Sequence, residues 1–248
     1  GGSISVISAG AITVSGELIA GHDDSVIVGG AFGDSGGTGN QGGTIDLSSV
    51  SGITISAAGV LDVTGGHGGS GSVNGGNAGD AGSVSLVTIG AGANIVFDGL
   101  VAAWTGDGGY IPTSSEGSPG NGGLGGIINF TAAGDVITGA ASAIGATGGT
   151  GGVTQNSDSL PTLGAVGMNG AGGSITISGT NVALEGALYA NGGFDAQVPG
   201  QLGSGGDGGL ISVSATQAVS LSGLLNVTGA GVSPSDYLLD VAGGAGGS

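Results

Sequence analysis

Aliphatic residues recur along this chain as pairs separated by a single residue, and three such pairs follow one another before a glycine-rich stretch intervenes. One set of three pairs is Ile45 and Leu47, Ile53 and Ile55, and Leu61 and Val63. Alternation with a period of two is typical of a β-strand with one buried face. The pattern therefore predicts three short strands in each block, separated by corners of serine, threonine and glycine.

The block is repeated six times. Its openings are GGSISV at Gly1, GGTIDL at Gly42, AGSVSL at Ala81, GGIINF at Gly125, GGSITI at Gly172 and GGLISV at Gly208. Spacings of roughly 36 to 47 residues indicate a solenoid, a propeller or an array. We divide the chain, residues 1–248, into a single domain of six repeats at approximately 1–41, 42–80, 81–124, 125–171, 172–207 and 208–248.

Strands this short do not suit a sandwich or a propeller blade. They suit a parallel β-solenoid, in which each coil hydrogen-bonds to the next about 4.8 Å away. We therefore expect an all-β fold with about six coils, because stacked repeats can bury an aliphatic face that one repeat cannot. The predicted first inward column is Ile4, Ile45, Val84, Ile128, Ile175 and Ile211. The predicted third pairs include Leu18 and Ala20, Leu100 and Ala102, and Leu188 and Ala190.

The second half of each repeat is a glycine-rich excursion, such as GGAFGDSGGTGNQGG from Gly29 or the stretch over 65–82. Glycine and serine usually indicate a flexible surface loop. The alternative is an ordered layer of extended or polyproline-II-like segments, packed so closely that only glycine fits. We favour a side layer of this kind, because GG and GGxGG recur at every turn of the repeat.

Composition supports a folded chain. Glycine accounts for 65 of 248 residues, but 38% of the chain is hydrophobic, and disordered chains are poor in aliphatic residues. Collagen is excluded, because there are only 5 prolines and no G-X-Y period. No apolar run is long enough for a transmembrane helix, so we expect no membrane insertion. Cysteine is absent, so no disulfide holds the fold.

The chain has no lysine or arginine, 17 acidic residues and a formal charge of −17. Nucleic-acid binding depends on Lys and Arg contacts to phosphate, so we expect no nucleic-acid partner. The same absence removes every trypsin site, which is useful among extracellular proteases. Cytosolic proteins of this size almost always carry lysine, and we therefore expect an extracellular or cell-surface location. No signal-peptide pattern is visible, which we interpret as a mature or excised piece.

The pattern GGxIxI…IxVxGxLxAxGG resembles the glycine-rich right-handed β-helix repeats of large bacterial exoproteins and filamentous-haemagglutinin-like adhesins. The resemblance covers the whole chain and implies a right-handed parallel β-helix, secretion, and roles in attachment or fibre formation. The fourth repeat departs from the pattern, with Thr138 where an aliphatic residue is expected and an insertion from Gln155 to Met168. We expect stacking to be least regular there.

Two histidine motifs are the first candidates for chemistry. GHDD at Gly21 and GHG at Gly66 resemble two local motifs of β-helical polygalacturonases, whose aspartates act as acid and base. That family also implies basic residues that hold the substrate carboxylates, and polysaccharide lyases imply an Arg or Lys base. This chain has neither residue type. We therefore predict that His22 and His67 cap turns, and that the chain is not an enzyme.

Aspartates in glycine-rich turns suggest calcium, which prefers carboxylate and carbonyl oxygens. The candidates are Asp34, Asp80, Asp107 and Asp207. The calcium-binding nonapeptide GGxGxDxUx is not repeated, and only Asp80 and Asp207 share a position within the repeat. Asp is also favoured in solvated turns without any metal. We predict no cofactor and no defined site, and leave calcium as an alternative.

Threonine and aromatic residues suggest two kinds of surface ligand, ice and sugars. Ice binding would need threonine rows, but Thr13, Thr54 and Thr176 do not extend through the other repeats. A sugar-stacking platform would need neighbouring aromatic residues. The candidates are Trp104, Tyr110, Tyr189 and Tyr237. Because they lie in different repeats, we expect them to serve local packing.

Two sequons match the glycosylation pattern, Asn129 to Thr131 and Asn226 to Thr228. Both lie within predicted strands. Chance matches of this pattern are common at this length, so the sequons do not change the functional prediction.

Solenoids ordinarily have caps over their first and last coils, and neither end of this sequence shows one. The sequence Gly-Gly-Ser that begins at Gly1 recurs at Gly246, where it would open a further repeat. We therefore predict head-to-tail self-association into a filament, or a segment of a longer array. The predicted function is an extracellular structural fibre or stalk, with adhesion to a cell surface or carbohydrate as a possible added role. The alternatives are a secreted carbohydrate-active enzyme and a carbohydrate- or ice-binding module.

Overall fold

The computed structural model describes residues 1–21, 35–112, 117–155, 166–194 and 205–229. Regular structure in these ranges is entirely β, so they hold no helix that could cross a membrane. The strands are β1 (Ser3–Ser8), β2 (Ile12–Val14), β3 (Glu17–Ile19), β4 (Thr44–Ser49), β5 (Ile53–Ile55), β6 (Val60–Asp62), β7 (Ser83–Thr88), β8 (Ile95–Phe97), β9 (Leu100–Ala102), β10 (Ile111–Pro112), β11 (Ile127–Thr131), β12 (Val136–Thr138), β13 (Ala143–Gly145), β14 (Thr154–Gln155), β15 (Ser174–Leu184), β16 (Ala187–Tyr189), β17 (Leu210–Leu221) and β18 (Leu225–Asn226).

Every ladder that joins two of these strands is parallel. The largest sheet has the order β1-β4-β7-β11-β15-β12-β8-β5-β2, with β17 paired to β15. A second sheet has the order β18-β16-β13-β9-β6-β3, and β10 pairs with β14. Equivalent strands of successive repeats therefore lie side by side in chain order. This confirms the predicted all-β parallel class and is consistent with a β-solenoid.

The first predicted inward column is confirmed. Its six members, Ile4, Ile45, Val84, Ile128, Ile175 and Ile211, lie opposite one another in five consecutive ladders. The four interior members are 0% exposed, and the two outer ones pack partly buried against the core. Alternation along each strand places these residues on one face, and stacking converts that face into a continuous aliphatic core.

The third strand of the third repeat is shifted by one residue from our prediction. Leu61 lies opposite Val101, not Leu100. Val101 and Ala103 are 0% exposed, whereas Leu100 is only partly buried. The prediction that Leu100 and Ala102 form the inward pair was therefore wrong.

The corner glycine explains the shift. Gly59 and Gly99 precede the third strands of their repeats, and a Cβ at Gly99 would collide with the carbonyl oxygen of Gly59. The two glycines therefore occupy equivalent positions, and the inward residue is the second one after each of them. The corner sets the register, and the alternation of aliphatic residues alone does not distinguish Leu100 from Val101.

The fourth repeat keeps its register in spite of its irregular sequence. Strands β11, β12 and β13 pair with the repeats on both sides, so the expected irregularity is not seen in these strands. Thr138 is 0% exposed and lies between Phe97 and Leu184 in its column. Its hydroxyl accepts the backbone N–H of Glu185 at 3.1 Å, which satisfies a buried polar atom. Residues 156–165 of the insertion lie outside the described ranges.

A buried serine organises one corner of the second repeat. Ser49 is 1% exposed, and its hydroxyl donates to the carbonyl oxygen of Gly10 at 2.7 Å. The hydroxyl oxygen of Ser49 also accepts the N–H groups of Ser51 and Gly52 at 3.1 and 3.0 Å. Gly52 has φ of 142°, a conformation that favours glycine. The corner is thus fixed by a hydrogen-bonded side chain and one conformationally permissive residue.

Candidate functional site: the glycine network

The glycine-rich stretches between the stacked strands form what we term the glycine network. In the described parts of the chain, an outgoing run leaves the third strand of a repeat, and a returning run leads to the first strand of the next repeat. The described outgoing runs are 64–71, 104–110, 147–153 and 191–194. The described returning runs are 35–42, 74–82, 117–126, 166–173 and 205–209.

Burial along these runs has a period of three. In the outgoing run of the second repeat, Gly66 and Gly69 are buried and His67 between them is exposed. In the returning run, Gly76 and Gly79 are buried and Asn77 is exposed. Three residues per turn is the period of the polyproline II helix. The burial period of the described runs therefore matches the polyproline-II-like alternative that the recurring GGxGG pattern favours.

One set of backbone hydrogen bonds alternates between outgoing and returning runs. The bonds run from Gly69 N–H to Gly37 C=O, Gly76 to Gly69, Gly109 to Gly76, Gly120 to Gly109, Gly152 to Gly120 and Gly167 to Gly152, all at 2.7 to 2.8 Å. This chain of bonds links four successive repeats without a gap. It pairs buried backbone groups that no strand ladder reaches, as burial requires.

A second set joins runs of the same direction in successive repeats. Gly68 donates to the carbonyl oxygen of Asp107 at 2.9 Å and Gly108 to that of Thr150 at 2.8 Å. In the returning runs, Gly39 donates to the carbonyl oxygen of Asn77 at 2.8 Å. The network therefore continues the repeat-to-repeat bonding of the strands, and adds bonds between the two run directions.

Glycine is required here because of close approach. A Cβ at Gly68 or Gly120 would lie closer than 3.0 Å to the carbonyl oxygen of Gly76, and one at Gly109 would lie as close to that of Gly69. Among the described glycines only Gly52 and Gly92 have positive φ, and neither lies in the network. Absence of a side chain, and not a left-handed backbone, is what these positions demand.

The exposed third position carries side chains that bond to the next repeat. The carboxylates of Asp80 and Asp107 accept the backbone N–H groups of Leu124 at 2.8 Å and Thr150 at 2.9 Å, respectively. The side-chain amide oxygens of Asn77 and Asn121 accept those of Asn121 and Met168, each at 2.9 Å. Hydrogen bonds from N–H groups to ionised acceptors are stronger than neutral ones. Two of the calcium candidates, Asp80 and Asp107, therefore have a structural role as acceptors.

The calcium candidates are not brought together. Asp80 and Asp207 share a column, as the sequence predicted, but Leu124 and Ala171 lie between them. Three repeats separate the two carboxylates by about 14 Å at the inter-strand spacing. Within the described ranges no three His, Asp or Glu side chains form a metal-binding group. Asp34 lies outside those ranges.

His67 also bonds to the next repeat. Its Nδ1 accepts the backbone N–H of Asp107 at 2.9 Å and lies 4.0 Å from a carboxylate oxygen of that residue. An accepting Nδ1 carries no proton, so the neutral ring bears its proton on Nε2. The prediction that this histidine caps a turn is corrected in one respect, because the N–H it accepts belongs to the following repeat. His22 lies outside the described ranges.

The threonine candidates do not form a long row. Thr13 lies opposite Thr54, but the column continues with Val96 and Ile137. Thr176 belongs to a different column, between Asn129 and Ser212. The arrangement agrees with the sequence, which showed no threonine ladder.

The two sequon asparagines lie in different settings. Asn129 lies on the outward side of β11, and the side-chain oxygen of Asn226 accepts the N–H of Thr228 at 3.2 Å.

Three of the four aromatic candidates lie in the described ranges. Trp104 and Tyr110 project from one outgoing run at the exposed third positions and are 41% and 46% exposed. The indole of Trp104 lies against Gly145 of the next repeat, and Gly145 is in register with Tyr189 of the repeat beyond. Trp104 therefore serves local packing, as expected, although the residue that it contacts belongs to the next repeat. Tyr237 lies outside the described ranges.

Sequence reasoning missed Phe194 altogether. It follows Gly193, whose Cβ would meet the carbonyl oxygen of Gly149, so Phe194 is the equivalent of Thr150 one repeat earlier. It is 67% exposed. The GGF text at Gly192 is the signal that marks it, because a large residue after two network glycines occupies an exposed third position.

A shallow groove of about 340 Å³ lies where β15 and β17 change register between Gly179 and Asn181. Its lining is Ala132, Ala133, Ser178, Gly179, Thr180, Ser214, Ala215 and Thr216. All of these side chains are small, and none is charged. The groove offers neither an acid–base pair nor an aromatic surface.

Comparison with known proteins gives no family assignment: no protein-family model matches the chain, and neither curated proteins nor solved structures show significant similarity to it.

Proposed function

We propose that this chain is a structural segment of an extracellular fibre or stalk, built as a right-handed parallel β-solenoid of about six coils with the glycine network as a side layer. The handedness follows the resemblance to secreted β-helix repeats. The proposed role is mechanical and not catalytic. Adhesion is a compatible second role, since a rod presents the same surfaces along its length.

The observation that carries the proposal is the solvent exposure of the inward aliphatic columns at the sixth repeat. Val219 and Leu221 are 46% and 50% exposed, whereas Val182 and Leu184, opposite them in the ladder, are 1% and 0% exposed. In the described part of the chain no strand pairs with the far edge of β17. A parallel strand added there would gain backbone hydrogen bonds and bury the aliphatic column.

The first repeat presents the complementary edge. Val6 is 38% exposed, while Leu47, its partner in the second repeat, is 1% exposed. Strand β1 pairs on one side only among the described residues. A contact between these two edges joins different surfaces and does not close, so it produces an open filament. The occupant of each edge is a further repeat of the same kind, from another copy or from a longer chain.

Composition supports the location. A chain without lysine and arginine offers no trypsin sites, and one without cysteine is independent of the redox state of its surroundings. The formal charge of −17 keeps single segments apart at low ionic strength. Salt screens this repulsion, so assembly is expected to increase with salt concentration.

The test is electron microscopy and sedimentation of the purified chain at low and high salt. We expect filaments that lengthen with salt, and we expect Leu221→Asp to shorten them because it charges the exposed column. Ser220→Asp is the matched control, since it adds the same charge to the adjacent outward position of β17. A monodisperse monomer at high salt and high concentration would rule out self-polymerisation.

A further inference from the structure

The surface aromatic residues of the described chain all lie on a third strand or on the outgoing runs. Two of its aromatic residues, Phe97 and Phe130, are in the core with ring centroids 5.3 Å apart. The remaining four are on β16 and the outgoing runs. We term this surface the aromatic face, and its members are Trp104, Tyr110, Tyr189 and Phe194. The returning runs, on the other side of the network, carry no described aromatic residue.

Trp104 packs against a glycine of the neighbouring repeat. Indole atoms Cδ1 and Cε2 lie 3.0 Å from the position that a Cβ on Gly145 would take. Any other residue at this position of β13 would displace the ring. Nε1 is the indole atom nearest to that position, so the N–H edge of the ring lies against the backbone of Gly145, while 41% of the residue stays open to solvent. An exposed tryptophan fixed in this way loses little conformational entropy when a ligand packs on it.

The fourth repeat lies between exposed aromatic residues of the third and fifth repeats. Thr147 and Thr150 follow Gly145 on the outgoing run, between Trp104 of the third repeat and Phe194 of the fifth. Trp104 and Phe194 are two repeats apart, which is about 10 Å along the stacking direction, and Phe194 lies three positions further along the run, in the column of Asp107 and Thr150. Tyr189 stands beside Gly145 on the side of the fifth repeat. The face therefore combines aromatic surfaces with hydroxyl groups that donate and accept hydrogen bonds.

Charge limits the ligands that this face accepts. Asp62 lies in the same column of third-strand residues as Gly145 and Tyr189, and Asp107 lies beside Thr150 on the outgoing runs. No lysine or arginine occurs anywhere in the chain. Sulfated, phosphorylated or uronic-acid ligands would meet only negative charge, at a cost that nothing offsets. An uncharged ligand with both apolar faces and hydroxyl groups fits this combination.

We propose that the aromatic face binds neutral glycans, with the apolar face of a sugar ring packed on Trp104 and its hydroxyl groups bonded to the threonines of the fourth repeat. This adds an adhesive role to the proposed structural one. The two proposals fail separately, because glycan binding is measured on unassembled chain at low salt. Repetition of the segment along a filament would strengthen weak binding through multivalency.

The experiment uses the single tryptophan of the chain as its reporter. Soluble xyloglucan, galactomannan, mixed-linkage β-glucan and dextran are titrated against the protein while tryptophan emission is recorded, with polygalacturonate as the anionic comparison. The same polymers are cast into native gels to measure retardation. We expect at least one neutral polymer to shift the emission and slow migration, and polygalacturonate to do neither.

Variants locate the site. Trp104→Ala is expected to weaken retardation about tenfold or more, the loss typical of truncating an aromatic anchor, and Tyr189→Ala to weaken it less. Met168→Ala is the matched control, since Met168 is 65% exposed on a returning run and its loss should leave retardation unchanged. Circular dichroism and denaturation midpoints verify that each variant folds. Emission and migration unaffected by every neutral polymer, or equal retardation of Trp104→Ala and the parent, would overturn the proposal.

Discussion

The strands and the glycine runs of each repeat contact their neighbours through different groups. In the strands, Ile128 and Ile175 are 0% exposed, and the contact between repeats is made by aliphatic side chains as well as by the ladder. In the network, Gly76 and Gly120 meet their neighbours through backbone alone. The strands are stabilised by burial of apolar area, whereas the network has almost no side chain to bury.

The comparison shows what each region demands of its sequence. A strand position tolerates several apolar residues, since one column contains Val6, Leu47, Leu86, Phe130 and Ile177. A network position such as Gly120 tolerates none, because its neighbours occupy the space of a Cβ. Glycine also loses the most conformational freedom on folding. The network therefore depends on complete hydrogen bonding, and the strands depend on volume and apolarity.

A charge in the aliphatic column is expected to have the largest effect. Ile175→Asp places a carboxylate among fully buried residues, which costs several kcal/mol unless the group is protonated. Thr176→Asp adds the same charge on the outward side of β15 and is expected to cost little. Denaturant midpoints measure the difference. Similar midpoints for the two variants would contradict the column assignment.

A methyl group in the network is expected to have an intermediate effect. Gly76→Ala would bring Cβ into the carbonyl group of Gly37 and should cost about 1–3 kcal/mol, as overpacking does. Gly16→Ala is the control, because nothing lies within 4 Å of its Cβ position. That variant is expected to be neutral, or more stable by about 0.4–1 kcal/mol through the unfolded state. Equal midpoints for both variants would show that the runs are loosely packed.

Removal of one side-chain acceptor is expected to have the smallest effect. Asp80→Ala leaves the N–H of Leu124 without its acceptor at 2.8 Å and should cost about 1 kcal/mol. Asp80→Asn keeps an oxygen in the same place and should restore most of that loss. If both variants lose the same stability, the charge of Asp80 matters and not its hydrogen bond. A calcium-dependent midpoint in the parent that Asp80→Asn abolishes would instead indicate a metal ligand.

The strand columns could be predicted because their signal is local. Alternation identifies inward positions without knowledge of any partner, and Ile4, Ile45 and Val84 align once the repeat openings are aligned. The error at Leu100 arose where two adjacent aliphatic residues, Leu100 and Val101, fit the period equally well. Only the corner at Gly99 distinguishes them, through its contact with Gly59.

The hydrogen-bond partners within the glycine network could not be predicted from the sequence. Every GG pair looks alike, so the sequence does not indicate that Gly109 bonds to Gly76 and accepts from Gly120. The roles of Asp80 and Asp107 depend on which residue of the next repeat lies beside them. The aromatic face has the same origin, because Trp104 and Tyr189 are far apart in sequence and meet only through Gly145.

Amide hydrogen exchange tests most directly whether the glycine network is ordered structure. The amides of Gly69, Gly76, Gly109 and Gly120 bond to backbone carbonyl oxygens at 2.8 Å or less. They should exchange only through larger openings, with protection that approaches that of strand amides in β4 and β7. Exposed positions without such a bond provide the fast reference within the same runs. Exchange of the four glycine amides at the rate of an unstructured peptide, while β4 and β7 remain protected, would contradict the account.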